Sequence, residues 1–483
     1  MPKTIKSITN PKLHLEVLTP QEVKKIHAAT LWIIEKVGVR FPSKRALEIW
    51  AEHGAEVDAG KMVVRAKAEL IEQALKTCPP IYPLAARDPQ QDLSLDGNHV
   101  FVGTDGCGVE VIDIKTGVRR VSCLQDVRDI SCIADATEEV AFHWVPVSAQ
   151  DMPPETRSLH EIKAIWENST KHLQTESIYN EREAKAAIEM AALIVGGKDK
   201  LRQRPILSLM QCSASPLGHD GGSLDAALVA AEFGLPTGFM TMAANLTTGP
   251  ATLAGNLAVG NAEVIAGTAL IQLAYPGAPV FYAAAQTASD LRTGAYTGGG
   301  PEDFLYGAAT NVLSDFYNIP LSMGSFATGA KEPNWQAGIE NSLSTFMACI
   351  AMSDMLLGVG FLHGSRIWSF AEMMMDCEIY SIIHKTMQGI VVDDETLALD
   401  TIAAVGPGGN FLSQKHTLKH MHDLFLPQFM DRRPYNEWEI KKDDARDWAL
   451  AKARKTLETH QPEPLDEKIS NEMAKIISSL EKQ

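Results

Sequence analysis

Between residues 96 and 390 the sequence predicts an α/β fold, a (β/α)8 TIM barrel, flanked by an N-terminal helical leader and a C-terminal helical extension. Three observations carry this expectation. Eight short β-type runs alternate with eight longer helical ones, the repeat of a closed parallel sheet. No GxGxxG follows the first run, so the rival doubly wound sheet lacks its dinucleotide signature. A composition of 45% hydrophobic and 22% charged residues supplies a large core. At about 150 residues per domain the 483 residues suggest roughly three domains, yet a barrel of about 250 residues is a single one. The expected division is therefore a leader over 1–95, a barrel over 96–390 and a tail over 391–483 packed on the barrel.

The leader reads as helical over 20–80, a first helix followed by others near 43–53 and 66–76. The first opens on Thr19, Pro20, Gln21 and Glu22: a capping hydroxyl, then proline at the first helical position, then an acid in the first turn. Val23, Ile26, His27 and Leu31 follow at helical spacing. The leader ends at Cys78, Pro79 and Pro80.

The β-type runs follow at 99–103, 142–147, 171–177, 205–210, 237–242, 279–284, 320–324 and 355–361. Helices are expected near 124–137, 156–168, 181–195, 222–234, 250–273, 302–317, 335–352 and 370–389. A hairpin over 109–121 turns at Lys115, Thr116 and Gly117. In a barrel the active site lies at the C-terminal strand ends. Those are 105–106, 148–151, 175–177, 211–215, 243–248, 286–292, 328–332 and 362–366.

Composition excludes several classes. Forty-four Lys and Arg against sixty Asp and Glu leave a formal charge of −16, so no global basic field exists to hold nucleic acid. Seven scattered cysteines without a CxxC fit reduced thiols in a cytoplasm. No apolar run reads as a signal peptide, and none reaches the roughly 20 residues of a membrane span. Walker, HExxH and GxSxG motifs are missing, so phosphoryl transfer, zinc proteolysis and serine hydrolysis have no motif support. His416, His420 and His422 form the one histidine cluster; without a clear third ligand it reads as a docking face over the barrel mouth rather than a metal site.

Candidate ligand groups gather after the last strands. Residues 361–370 place His363, Arg366, Trp368 and Phe370 together. Aromatic faces attract quaternary ammonium ions, and Arg or His binds carboxylates; packing of Trp368 and Phe370 in the core is the alternative. Arg292 either holds a ligand anion or pairs with Asp290 or Glu302. Thr248, Gly249 and Pro250 look like a helix start whose amides can meet an anionic or amide-bearing ligand, or serve as a plain cap.

Several segments taken in order resemble the trimethylamine methyltransferase superfamily, in its branch without pyrrolysine. They are 248–255 with Ala262 and Glu263, 290–294, 300–302, 336–338 with Glu340, Ser369 and Phe370 with Asp376, Cys377 and Glu378, and 406–412 with His416 and Thr417. The resemblance spans roughly residues 15–450. It implies methyl transfer to the cobalt of a corrinoid carried on a separate small protein, with free cobalamin as a candidate acceptor. The stretch 328–334, which the resemblance matches to the pyrrolysine region, reads through with ordinary residues, and this points away from a tertiary amine. The implied reaction moves an N-methyl group from a quaternary amine, glycine betaine or a related betaine, to Co(I), leaving a tertiary amine. The resemblance also implies a homo-oligomer and an anaerobic one-carbon metabolism.

Roles follow as expectations from that resemblance. Trp368 and Phe370 line the ammonium pocket, with Glu176 as counter-charge. Arg292, His363 or Arg366 holds the substrate carboxylate. Asp105, Gly106, Asn245, Thr248, Gly249 and Thr328 meet the corrinoid, and no metal ligands are assigned. Two other classes stay open: a metal-dependent barrel lyase or hydrolase, and a non-catalytic binder of quaternary amines or cobalamin.

Overall fold

The computed structural model describes residues 5–9, 15–106 and 108–482. Eight parallel strands close into a barrel: β1 (His99–Thr104), β2 (Val140–Trp144), β3 (His172–Thr175), β4 (Leu207–Cys212), β5 (Thr237–Thr241), β6 (Val280–Ala284), β7 (Leu321–Gly324) and β8 (Met355–Val359). Closure is the pairing of β8 with β1, Met355 opposite Phe101. The helices that follow each strand are α1 (Leu124–Ala136), α2 (Arg157–Asn168), α3 (Glu181–Val195), α4 (Gly221–Glu232), α5 (Leu253–Ala274), α6 (Pro301–Tyr317), α7 (Trp335–Ile350) and α8 (Phe370–Met387). Every expected strand and helix of the barrel is present, with ends shifted by a few residues.

The barrel interior is a packed core of its own. Phe101, Phe142, Met210, Phe281 and Met355 point inward and meet Tyr82, Leu84, Leu93 and Leu95 from a short hairpin. The Tyr82 hydroxyl donates to the Val280 carbonyl (2.8 Å), at the start of β6. This hairpin therefore plugs the N-terminal end of the barrel and leaves the opposite mouth for ligands.

The leader is less helical than expected. Its helices lie at Pro20–Trp32, Lys44–Glu52 and Ala68–Leu75, the first closed by the Thr19–Glu22 capping box. Between them stands a three-stranded sheet of two- and three-residue strands, too short for a period-2 signal to register. All three leader helices pack on α5. That explains α5, which is apolar on every face and long enough to cross a membrane by length and composition, yet 83% buried in the protein.

The tail divides in two. Helix Ala445–Thr459 fills the gap between α8 and α1, and Glu467–Glu481 packs on α2 and α3. The segment 390–442, in contrast, holds four short helices that bury no residue. The histidine cluster lies on this arm. His416 bonds the Glu395 carbonyl and His420 pairs with Asp423 at 2.7 Å, so these two side chains find partners within the arm itself.

Candidate active site

A cavity of about 100 Å³ opens at the C-terminal end of the barrel. Strand ends supply its floor: Trp144 from β2, Cys212 from β4, Met240 from β5, Met323 and Gly324 from β7, and Leu357 from β8. Loops supply its walls: Asp105 and Gly106 after β1, Gln286, Thr287, Tyr296 and Gly298 after β6, Asp303 in α6, and Gly364 and Ser365 after β8. The predicted hairpin forms as Glu110–Ile112 with Arg119–Val121. It joins a small sheet with Ile367–Ser369 and Phe361–Leu362, which anchors the loop carrying Ser365.

The walls are acidic and mostly dry. Asp105 accepts a hydrogen bond from the Ser365 hydroxyl (2.6 Å), and burial pushes its carboxyl up to about 6. Asp303 accepts from the Thr287 hydroxyl and is pushed up to about 7, again chiefly by burial. Glu176, buried after β3, lies directly behind Gly106. A Cβ at 106 would sit 2.5 Å from its Oε1, so a larger residue there would have to push the Glu176 carboxylate aside. Burial also holds the Cys212 thiol at about 12, so it stays protonated and unsuited as a nucleophile. Among the described residues, no Lys, Arg or His lines the cavity.

Its hydrogen-bond donors are mostly committed. The Tyr296 hydroxyl donates to the Ala285 carbonyl (3.0 Å), and the Gln286 amide to the Asn256 carbonyl (2.7 Å). Two buried polar atoms of lining residues have no hydrogen-bond partner: the Trp144 indole N–H and the Gln286 Oε1. Apart from these, the cavity offers aromatic rings and the thioethers of Met240, Met242 and Met323.

The residues expected in the site divide into three groups. Asp105 and Gly106 line the cavity and Glu176 backs it. Asn245, Thr248, Gly249 and Thr328 build the loops around it. Asn245 donates to the Pro250 carbonyl (2.6 Å) and accepts from the Tyr306 hydroxyl. Thr248 accepts from the Ala244 N–H (2.9 Å), and Thr328 donates to Glu340 (2.5 Å). Residues 246–248 form a turn closed by the Gly249 N–H on the Ala244 carbonyl (2.9 Å), and α5 starts only at Leu253. Gly249 is needed there because a Cβ would lie 1.8 Å from Asn256 Oδ1.

The third group stands away from the cavity. Trp368 and Phe370 are buried in the main core, Trp368 edge-on to Phe361 at 5.1 Å. Arg292 is 88% exposed and paired with Asp290 (2.8 Å). Arg366 is exposed and 3.4 Å from Glu110, and the half-buried His363 is held through its backbone N–H by the Ala330 carbonyl. Trp144 escaped the sequence reading because β2 ends there, before the expected 147. Pro146, which has no N–H to give a ladder, is the signal that marks the earlier end. Tyr296 and Asp303 lie in and just past a glycine-rich loop, where no periodicity points to a direction.

Comparison with known proteins adds three findings. The family model for trimethylamine methyltransferase (MTTB) matches residues 1–483. Relatives include the trimethylamine methyltransferase MttB of Desulfitobacterium hafniense (strain DSM 10664 / DCB-2), 34% identical over 462 residues, covering 95% of this chain and 93% of that one. The glycine betaine methyltransferase of D. hafniense (strain Y51) is 33% identical over 466 residues, covering 96% of each. Among solved structures, the monomethylamine methyltransferase MtmB of Methanosarcina barkeri shares the fold, with a TM-score of 0.50 at 12% identity over 91% of this chain and 92% of that one.

Proposed function

Because the chain belongs to the trimethylamine methyltransferase family and is a methyltransferase, we propose that it takes an N-methyl group from a quaternary amine and delivers it to a Co(I) corrinoid carried by a separate small protein. The observation that carries this reading is the cavity itself. Two buried acids, an indole and a phenol surround a small space that no cationic side chain among the described residues lines. Such walls favour a compact organic cation.

The rim fits a flat apolar macrocycle. Leu246 and Leu291, on the loops after β5 and β6, and Trp335, the first residue of α7, are 46%, 85% and 80% exposed. A Co(I) corrin held here would supply the nucleophile. The chain's own residues supply position and charge. Trp144 and Tyr296 offer ring faces, and Asp105 and Asp303 offer counter-charge. The methionines and Leu357 exclude water. A quaternary nitrogen leaves as a neutral amine, so no proton is needed and no general acid has to be present. The buried acids act on a charge that vanishes as the reaction proceeds, so their contribution falls on substrate binding more than on the chemical step. The six described cysteines stay free, which supports a cytoplasmic setting within the same reading.

Anaerobic mixing with Co(I) cobalamin tests the reading. Tetramethylammonium, choline, carnitine, glycine betaine and trimethylamine are supplied in turn, while the Co(I) absorbance and the amine product are followed. Loss of Co(I) with release of a tertiary amine is expected for at least one quaternary amine. If none is consumed, the reading fails.

A further inference from the structure

We propose that the cavity selects a quaternary ammonium ion that carries no carboxylate, of the tetramethylammonium or choline kind, over a betaine. This rests on the quaternary-amine reading above and narrows it. A betaine places a carboxylate within a few bonds of its ammonium group. In this cavity that carboxylate meets Asp105 and Asp303, with Glu176 close behind Gly106. Like charges brought together out of water are strongly unfavourable.

Among the described residues, no cationic side chain of the lining offsets them. Arg292 is held by Asp290 in solvent, Arg366 stands 3.4 Å from Glu110, and Lys331 bonds the Gly329 carbonyl; none of the three lines the cavity. The hydroxyls that do line it are spent. Ser365 donates to Asp105, Thr287 to Asp303, Tyr296 to the Ala285 carbonyl and Ser325 to the Leu357 carbonyl.

Calorimetric titration of the protein with tetramethylammonium chloride, choline chloride and glycine betaine reads this directly, without cobalt. Tetramethylammonium or choline is expected to bind roughly 10-fold or more tightly than glycine betaine. Asp105→Asn, which can keep the Ser365 contact, is expected to weaken the cations and to narrow that ratio. Betaine binding as tightly as the cations, or tighter, would overturn the inference and leave the quaternary-amine reading intact. Failure of all quaternary ions to bind would overturn both. A ratio unchanged in Asp105→Asn would sink the electrostatic explanation.

Discussion

Asp105 and Asp303 concentrate the chemistry of this site at the scale of single side chains. Both are carboxyls raised by burial from an ordinary value of about 4, to about 6 and about 7. Below those values each is protonated and neutral, and the cavity has little to offer a cation. Affinity for tetramethylammonium should therefore climb between pH 5.5 and 7.5, with protons released on binding. Calorimetry in buffers of different ionisation enthalpy measures both, and a flat profile would contradict the role of these acids. The same shifts have a sign for stability. The folded state binds more protons than the unfolded one, so these two groups lower stability as pH rises from about 4 to about 7. Asp105 and Gly106 were legible because they directly follow a recognisable strand. Trp368 and Phe370 were not. Their aromatic character suggested a ligand pocket, but which way a side chain faces depends on where the strand ends and how the next loop folds back.

Helices and strands carried most of what the sequence revealed. Alternating short apolar runs and longer helical segments mark a barrel because each strand is buried on both faces and each helix on one. Helix α5 breaks that pattern, and its single acid shows why it matters. Glu263 accepts hydrogen bonds from the hydroxyls of Ser213 (2.5 Å), Ser215 (2.8 Å) and Thr241 (2.8 Å) and from the Leu217 N–H (2.8 Å). It ties the loop after β4 to the barrel wall beside Cys212. Glu263→Ala leaves those donors buried without their acceptor and should cost about 3 kcal/mol or more in urea unfolding. A loss below about 1 kcal/mol would show the donors finding other partners. The short strands of the leader were invisible in the sequence, because two or three residues cannot establish an alternation.

In the molecule as a whole, leader, barrel and tail share one apolar core. Trp50 from the leader, Ile265 from α5, Met373 from α8 and Ala449 from the tail belong to the same buried cluster. Truncation after Lys442 removes the helix that fills the gap between α1 and α8, and it should lower the melting temperature by about 10 °C or more. An unchanged melting curve would mean that the tail is a passive attachment. The sequence by itself determined the barrel, the order of its elements and the exclusion of most motif-borne chemistries, since these depend on local periodicity and on residue type. Only the tertiary structure decided which side chains share the cavity. Trp144, Tyr296 and Asp303 converge there from positions up to 159 residues apart, while Arg292 and Arg366 turn out to solvent. Closure of the sheet brings distant strand ends together, and that convergence has no signature along the chain.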